Sequence, residues 1–328
     1  MQHILRTKLD GVFIIGNGFD LDLGLPSSYR SFAESSYWPF QNPDSDLRAP
    51  DSFDSEPRSL HNTLHYTVLD STWFDIEATL ARYATFDGLY DSKFRISAGE
   101  RKQAIKDERT YNLLTQGLTD YLLSLNNHHL NKETVAARVL STLIDNNYFT
   151  RIFSFNYTCL NNIAKSLGIA NYLDYQHMHG NLNDGIILGL ESNIEFCPLY
   201  RFMCKEYNMN YQTRFLNFCM QEAKEIVIFG HSLSEIDYHY FETLFFNQSK
   251  MNLNYPESKR ITIFTRDKNS KLDICDQLRK MNKNRLDVLF SNNILEIIRT
   301  DGSDSKRVEK FIEHVNIMGE KYKAYYSC

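Results

Sequence analysis

Four short stretches gather the residues that could do chemistry: "GNGFD" at 16–20, "FNYT" at 155–158, "HMHGN" at 177–181 and "FGHSLSEID" at 229–237. Each follows an apolar run, and together they join glycine to Asn, His, Ser and Asp. Glycine reaches positive φ and lets a backbone approach a ligand closely, so Gly16 and Gly18 suit a phosphate held at the start of a helix. The third glycine of GxGxxG is missing and Asp20 is an awkward neighbour for a phosphate. The turn therefore fits a tight structural bend as well as a ligand cradle. Ser232-x-x-Glu235 reads as a capping box for the next helix. Asp20, Asp22 and Asp237 are candidates for hydroxyl binding, or for a divalent ion.

What must position these groups is a sheet. The runs "GVFIIG", "RIFSFN", "DYQHMHG", "EIVIFGHS", "RITIFT" and "ILEIIRT" are apolar with little alternation, as strands buried on both faces should be, and helical spacing separates them. This predicts an α/β, doubly wound, mainly parallel, Rossmann-like sheet. In such sheets ligands sit beyond the carboxyl ends of the strands, which is where all four stretches fall. More than 130 residues separate the first strand from "RIFSFN", far beyond one crossover helix. The expected organisation is a core of 1–38 and 149–328 with a helical insertion at 39–148. Residues 39–59 hold four of the seven prolines and five acids, the composition of an exposed, mobile loop.

The chain of 328 residues carries 36 basic and 41 acidic residues, a net charge of -5 without a long basic block, so nucleic acid is not favoured as a partner. No apolar run approaches membrane-spanning length and no signal-peptide order opens the chain, which points to the cytoplasm. The six cysteines form no CxxC pair. His61 and His65 share a helix face but lack the Glu of a zinc helix, and no metal is expected. Trp73 and Glu77 read as packing and a surface acid, and the run Tyr238, Tyr240, Phe241, Phe245 and Phe246 as a core-facing helix.

Taken in order, "FIIGNGFDLDLGLPSSYRSF", "WFDIEATL", "FSFNYT", "HMHGN" and "IFGHSLSEIDYHYF" resemble the AbiH family of bacterial abortive-infection proteins, which act in phage defence. More distantly, the same order is similar to the sirtuin-type NAD-binding fold. That second resemblance implies NAD as substrate or ligand, with Gly16, Asn17, Gly18, Phe19, Asp20, Pro26, Arg30, Gly180, Gly230, His231, Ser232 and Asp237 around it. It implies Asn156 as the group that orients water and His179 as a base near the ribose, at an ordinary pKa of about 6.5. The sirtuin zinc module is absent, so peptide deacetylation is not expected. The expected function is a phage-defence effector that hydrolyses NAD. Its alternatives are a nucleotide or phage-product sensor acting through assembly, and a metal-dependent nuclease. Expected partners are a small-molecule nucleotide, a phage-derived trigger and a second copy of the chain, with no membrane.

Overall fold

The computed structural model describes residues 11–44, 59–70, 74–85, 97–147, 149–170, 172–191, 194–211, 214–250 and 257–326. Trp73, and 45–58 of the expected loop, lie outside them. The chain divides into two compact units: Met1–Leu25, His128–Met178 and Gln212–Cys328 form the first, and Pro26–Asn127 with His179–Tyr211 the second.

The first unit is built on a six-stranded, all-parallel sheet. Its strands are β1 (Gly11–Ile15), β2 (Phe149–Ser154), β3 (Gln176–His177), β6 (Glu225–Phe229), β7 (Arg260–Thr265) and β8 (Ile294–Arg299), in the spatial order β3-β2-β1-β6-β7-β8. All six expected strands are present. Counted within the sheet this is the order 3-2-1-4-5-6, so the fold is a doubly wound, Rossmann-like α/β fold whose strand order reverses between β1 and β6. Every residue of β1 and β6 is buried, which is why neither run alternates. The register sets Ile15 level with Ser154 and Phe229, and Ser154 level with His177, so the strand ends finish on one rim.

Among the described residues eight helices belong to this unit: α1 (Asn17–Asp22), α6 (Val135–Asn146), α7 (Leu160–Leu167), α8 (Arg214–Glu222), α9 (Tyr238–Gln248), α10 (Lys268–Met281), α11 (Leu286–Asn292) and α12 (Ser305–Tyr326). Side-chain caps start two of them, with Thr134 accepting from Ala137 N and Asp267 from Ser270 N. In α9, Tyr240, Phe241 and Phe245 are buried, as the apolar run required. The capping box expected at Ser232 does not form. The turn before α9 is instead a short 3-10 segment, Glu235–Asp237, that follows Ser234, and Glu235 pairs with Lys280 at 2.6 Å.

The second unit holds α2 (Tyr29–Ala33), α3 (Leu60–Asp70), α4 (Ile76–Ala84), α5 (Ala98–Ser124) and a two-stranded antiparallel hairpin, β4 (Gly180–Asn181) with β5 (Gly185–Ile186). This division differs from the sequence-based one: α6 groups with the sheet, while 179–211 group with α2–α5. Ser97 and Glu100 form a complete capping box at the start of the 27-residue α5. Asp107 on that helix is 1% exposed and accepts from Tyr83 OH, Tyr200 OH, Leu60 N and Gln103 Nε2, joining three segments at one carboxylate. Burial raises its pKa, against the lowering effect of those donors. His61 and His65 each bond a backbone carbonyl, of Asn42 and Phe40 respectively, so the helix pair serves the local fold.

Candidate functional site

The glycine turn after β1 is shaped by its neighbour strand. Gly16 N donates to Phe229 O at 2.9 Å and Gly18 N to Gly230 O at 2.8 Å, so both amides are committed to the end of β6. A Cβ on Gly16 would lie 2.6 Å from His231 Cα, and one on Gly18 would lie 2.7 Å from Gly230 Cα. Gly230, at φ +67°, would place its own Cβ 2.3 Å from Phe19 N. Three glycines thus let two loops meet at the point where the strand order reverses. Their first role is this close approach, and neither amide is left to a phosphate.

Behind the turn, Asp20 is 1% exposed. Its carboxylate accepts from Asn156 Nδ2 at 2.9 Å and Thr158 Oγ1 at 2.7 Å, which locks the end of β2 to α1. Asn156 Nδ2 also donates to Gly16 O at 3.1 Å. Both partners are acceptors, so the orientation of the amide is settled: nitrogen toward the turn, Oδ1 away from it. Among the described residues no donor meets that oxygen. The backbone carbonyl of Asn156 accepts from His177 Nδ1 at 2.9 Å, and His177 Nε2 lies 3.1 Å from Tyr175 OH. Asn156 caps no helix; α7 starts after Cys159, without a side-chain cap.

The loop after β6 is held by its own side chains. His231 Nδ1 accepts from Leu233 N at 3.0 Å, its Nε2 lies 3.5 Å from Asp237 Oδ2, and its ring meets Phe155 edge-on. The bend forces Leu233 to φ +53°, an uncommon conformation for a branched, fully buried side chain. Ser232 is exposed, with its hydroxyl unbonded among the described residues. Phe19 packs against Phe13 and Phe229 in the core, which makes it a structural residue. Asp22 accepts from Ala136 N at 2.8 Å at the start of α6, and burial raises its pKa. Of the three acids considered for a metal, Asp20 and Asp22 are therefore engaged by protein donors.

Gly16, Asn17, Gly18, Phe19, Asp20, Asn156, Gly230, His231, Ser232 and Asp237 belong to the first unit; Pro26, Arg30, His179 and Gly180 belong to the second. There, Pro26 O accepts from Tyr121 OH, and Arg30 bonds Val68 O and pairs with Glu34. His179, 5% exposed, has Lys205 Nζ 3.4 Å from its Nε2. Lys205 is 1% exposed and lies 3.0 Å from both Glu77 Oε1 and Glu191 Oε1. Tyr211 OH donates to Glu191 Oε2 and Gly189 N to Glu77 Oε1. Burial, with Glu77 nearby, raises the pKa of Tyr111, whose hydroxyl bonds Leu188 O.

Local backbone builds this cluster. Gly189, at φ +142°, would drive a Cβ to 1.9 Å from Met203 O, and Leu190 exchanges backbone bonds with Met203 O and Lys205 N. That pairing sets Glu191 and Lys205 side by side. Burying Lys205 and Glu191, with Glu77 partly enclosed beside them, costs several kcal/mol per buried charge in desolvation, which apolar side chains of the same size would avoid. Sequence reasoning treated Glu77 as a surface acid and passed over Glu191 and Lys205. The signal available was Lys205 directly after "LYRFMC", a largely apolar run whose one charged residue is Arg201.

A family model described as bacteriophage abortive infection AbiH matches residues 12–255, a span that includes every site residue above. No curated protein matches the chain. Among the described residues no helix is long and apolar enough to cross a membrane.

Proposed function

Because the chain belongs to the bacteriophage abortive infection AbiH family, and so to phage defence, we propose that it is an effector that binds NAD at the carboxyl rim of its parallel sheet and hydrolyses the nicotinamide–ribose bond on infection. The observation that carries the reading is Asn156: two acceptors fix its nitrogen, and its amide oxygen is left oriented at the rim of a Rossmann-ordered sheet. Cleavage of NAD develops positive charge at the ribose C1 while the ring leaves neutral. It needs no metal, only a held ribose and an oriented water. Asn156 Oδ1 supplies the orienting acceptor and Ser232 a hydroxyl for the adenosine ribose, and the sirtuin-type resemblance assigns the handling of a proton to His179. Loss of NAD deprives a phage of its host's metabolism, which connects this reaction to abortive infection.

The test is nicotinamide release from NAD by purified protein, alone and with lysate of phage-infected cells, for wild type, Asn156→Ser and His179→Ala. Thermal melts of the variants serve as the control for folding. Release by wild type that survives chelation and falls by at least about 100-fold in both variants is expected. Binding of NAD without release would turn the reading to a sensor that acts through assembly or a partner. Release that stops on chelation would turn it to the metal-dependent alternative.

A further inference from the structure

We propose that the outer edge of β8 carries a side-chain guard, made of Lys271, Arg307 and Asp304, that keeps a second copy of the chain from adding its own β8 to the sheet. The inference lies within the first unit and does not depend on the NAD reading. β8 ends the sheet order, so among the described residues it has a strand on one side only. Its six residues hold no proline and pair with β7 without a shift of register, which makes the other side a usable template for a further strand. Ile294 N donates to Lys259 O and Thr300 N to Thr265 O, both at 2.9 Å, so the even-numbered residues turn their amides toward β7. Backbone groups alternate in side along a strand. Leu295, Ile297 and Arg299 therefore offer theirs outward.

Two consecutive groups of that outward row are already taken. Ile297 O accepts from Lys271 Nζ at 3.0 Å and from Arg307 Nη1 at 3.3 Å, which fills both lone pairs of the carbonyl. Lys271 stands on α10, before the strand, and Arg307 on α12, after it; Arg307 Nη2 is steadied by Glu296 Oε1 at 3.2 Å. Arg299 N donates to Asp304 Oδ2 at 3.0 Å, and the Arg299 side chain grips the same carboxylate through Nε and Nη2. That grip lowers the Asp304 pKa to about 2, so the acceptor stays charged at neutral pH. A strand laid parallel to β8 would use one residue to bond Ile297 O and Arg299 N together, and an antiparallel one would need each in turn. Either finds no lone pair on the first and no proton on the second. The opposite edge is blunted by length instead, since β3 has two residues. Assembly of copies, which the sensor alternative requires, is thus left to faces other than the sheet edges.

The experiment compares the full chain with the triple variant Lys271→Ala, Arg307→Ala and Asp304→Ala by light scattering after size exclusion over a range of concentrations, with amide hydrogen exchange to locate any new contact. The triple variant is expected to at least double in mass as concentration rises. In that species the outward amides of Leu295 and Ile297 should exchange at least about tenfold more slowly than in wild type. A folded triple variant that keeps the wild-type mass, or one that assembles without protecting those amides, would overturn the proposal. So would wild type that already pairs through them. Asp304 directly precedes α12, so the double variant Lys271→Ala with Arg307→Ala, which frees Ile297 O and leaves that helix start intact, is measured beside it. It is expected to assemble in the same way at higher concentration, and an unchanged mass counts against the guard. The conservative set Lys271→Arg, Arg307→Lys and Asp304→Glu keeps donors and acceptor and should stay at the wild-type mass; assembly there would place the cause elsewhere.

Discussion

Asp20 shows how one side chain can be both awkward for a ligand and necessary for the fold. Its carboxylate takes two donors from the end of β2, so Asp20→Ala strands Thr158 Oγ1 and one bond of Asn156 in a buried place. A loss of about 2–4 kcal/mol is expected in urea denaturation; a change under about 0.5 kcal/mol would show that the lock is not holding the rim together. Asp107 in the second unit makes a prediction of the opposite kind. Burial raises its pKa, so the folded protein binds its proton more readily than the unfolded chain does. Stability from this group is present below its unfolded pKa and declines as pH rises through the folded one. The stability of wild type relative to Asp107→Asn should therefore rise as pH falls from neutral toward the ordinary carboxylate range, as read by denaturation at each pH. Asn156 was legible as a rim residue because it ends a strand run. The partners of its nitrogen were not, because Asp20 and Gly16 reach it only once β1 and β2 lie in register.

At the level of elements, all six strands could be read directly, most plainly the central β1 and β6, which burial on both faces writes as nearly unbroken apolar runs. The glycine turn was legible as a turn, but its reason was not. Gly16 and Gly18 meet Gly230, which is more than 200 residues away in the chain. Gly230→Ala would put a methyl into backbone from a positive φ, and Gly16→Ala would press on His231 Cα. Each is expected to lower stability by more than about 3 kcal/mol or to yield insoluble protein, whereas Gly24→Ala, with open space around it, should lose only about 1–2 kcal/mol from its φ of +89°. Soluble, fully stable Gly230→Ala protein would mean that the two loops do not meet as described. The misplaced capping box has a similar origin: Ser-x-x-Glu is a local pattern, and the bend at Leu233 together with Lys280 outbids it for Glu235. Lys205 and Glu191 were beyond reach, because their meaning depends on Glu77 and His179 from other segments of the second unit.

For the whole molecule, the family match ends at residue 255, before β7 and β8. β6 pairs with β7 along its full length, and Ile226, Val227, Ile228 and Phe229 are buried. A chain cut after residue 255 would keep every site residue yet expose that run as an open edge. It is expected to aggregate on expression, as read by size-exclusion chromatography, while the full chain elutes as a discrete species. A monodisperse, cooperatively unfolding fragment would show that the last two strands of the sheet are dispensable. Of the described strands, β1 is made first and lies inside the sheet, with β2 on one side and β6 on the other. β1 ends at Ile15 and β6 begins at Glu225, so about 210 residues must be synthesised between them, roughly 10–40 s at ribosomal speed. Until then the strand carrying Gly16 waits without the loop it packs against. A nascent or prematurely terminated chain is thus denied its rim, and a site built there can form only once the ribosome has passed β6.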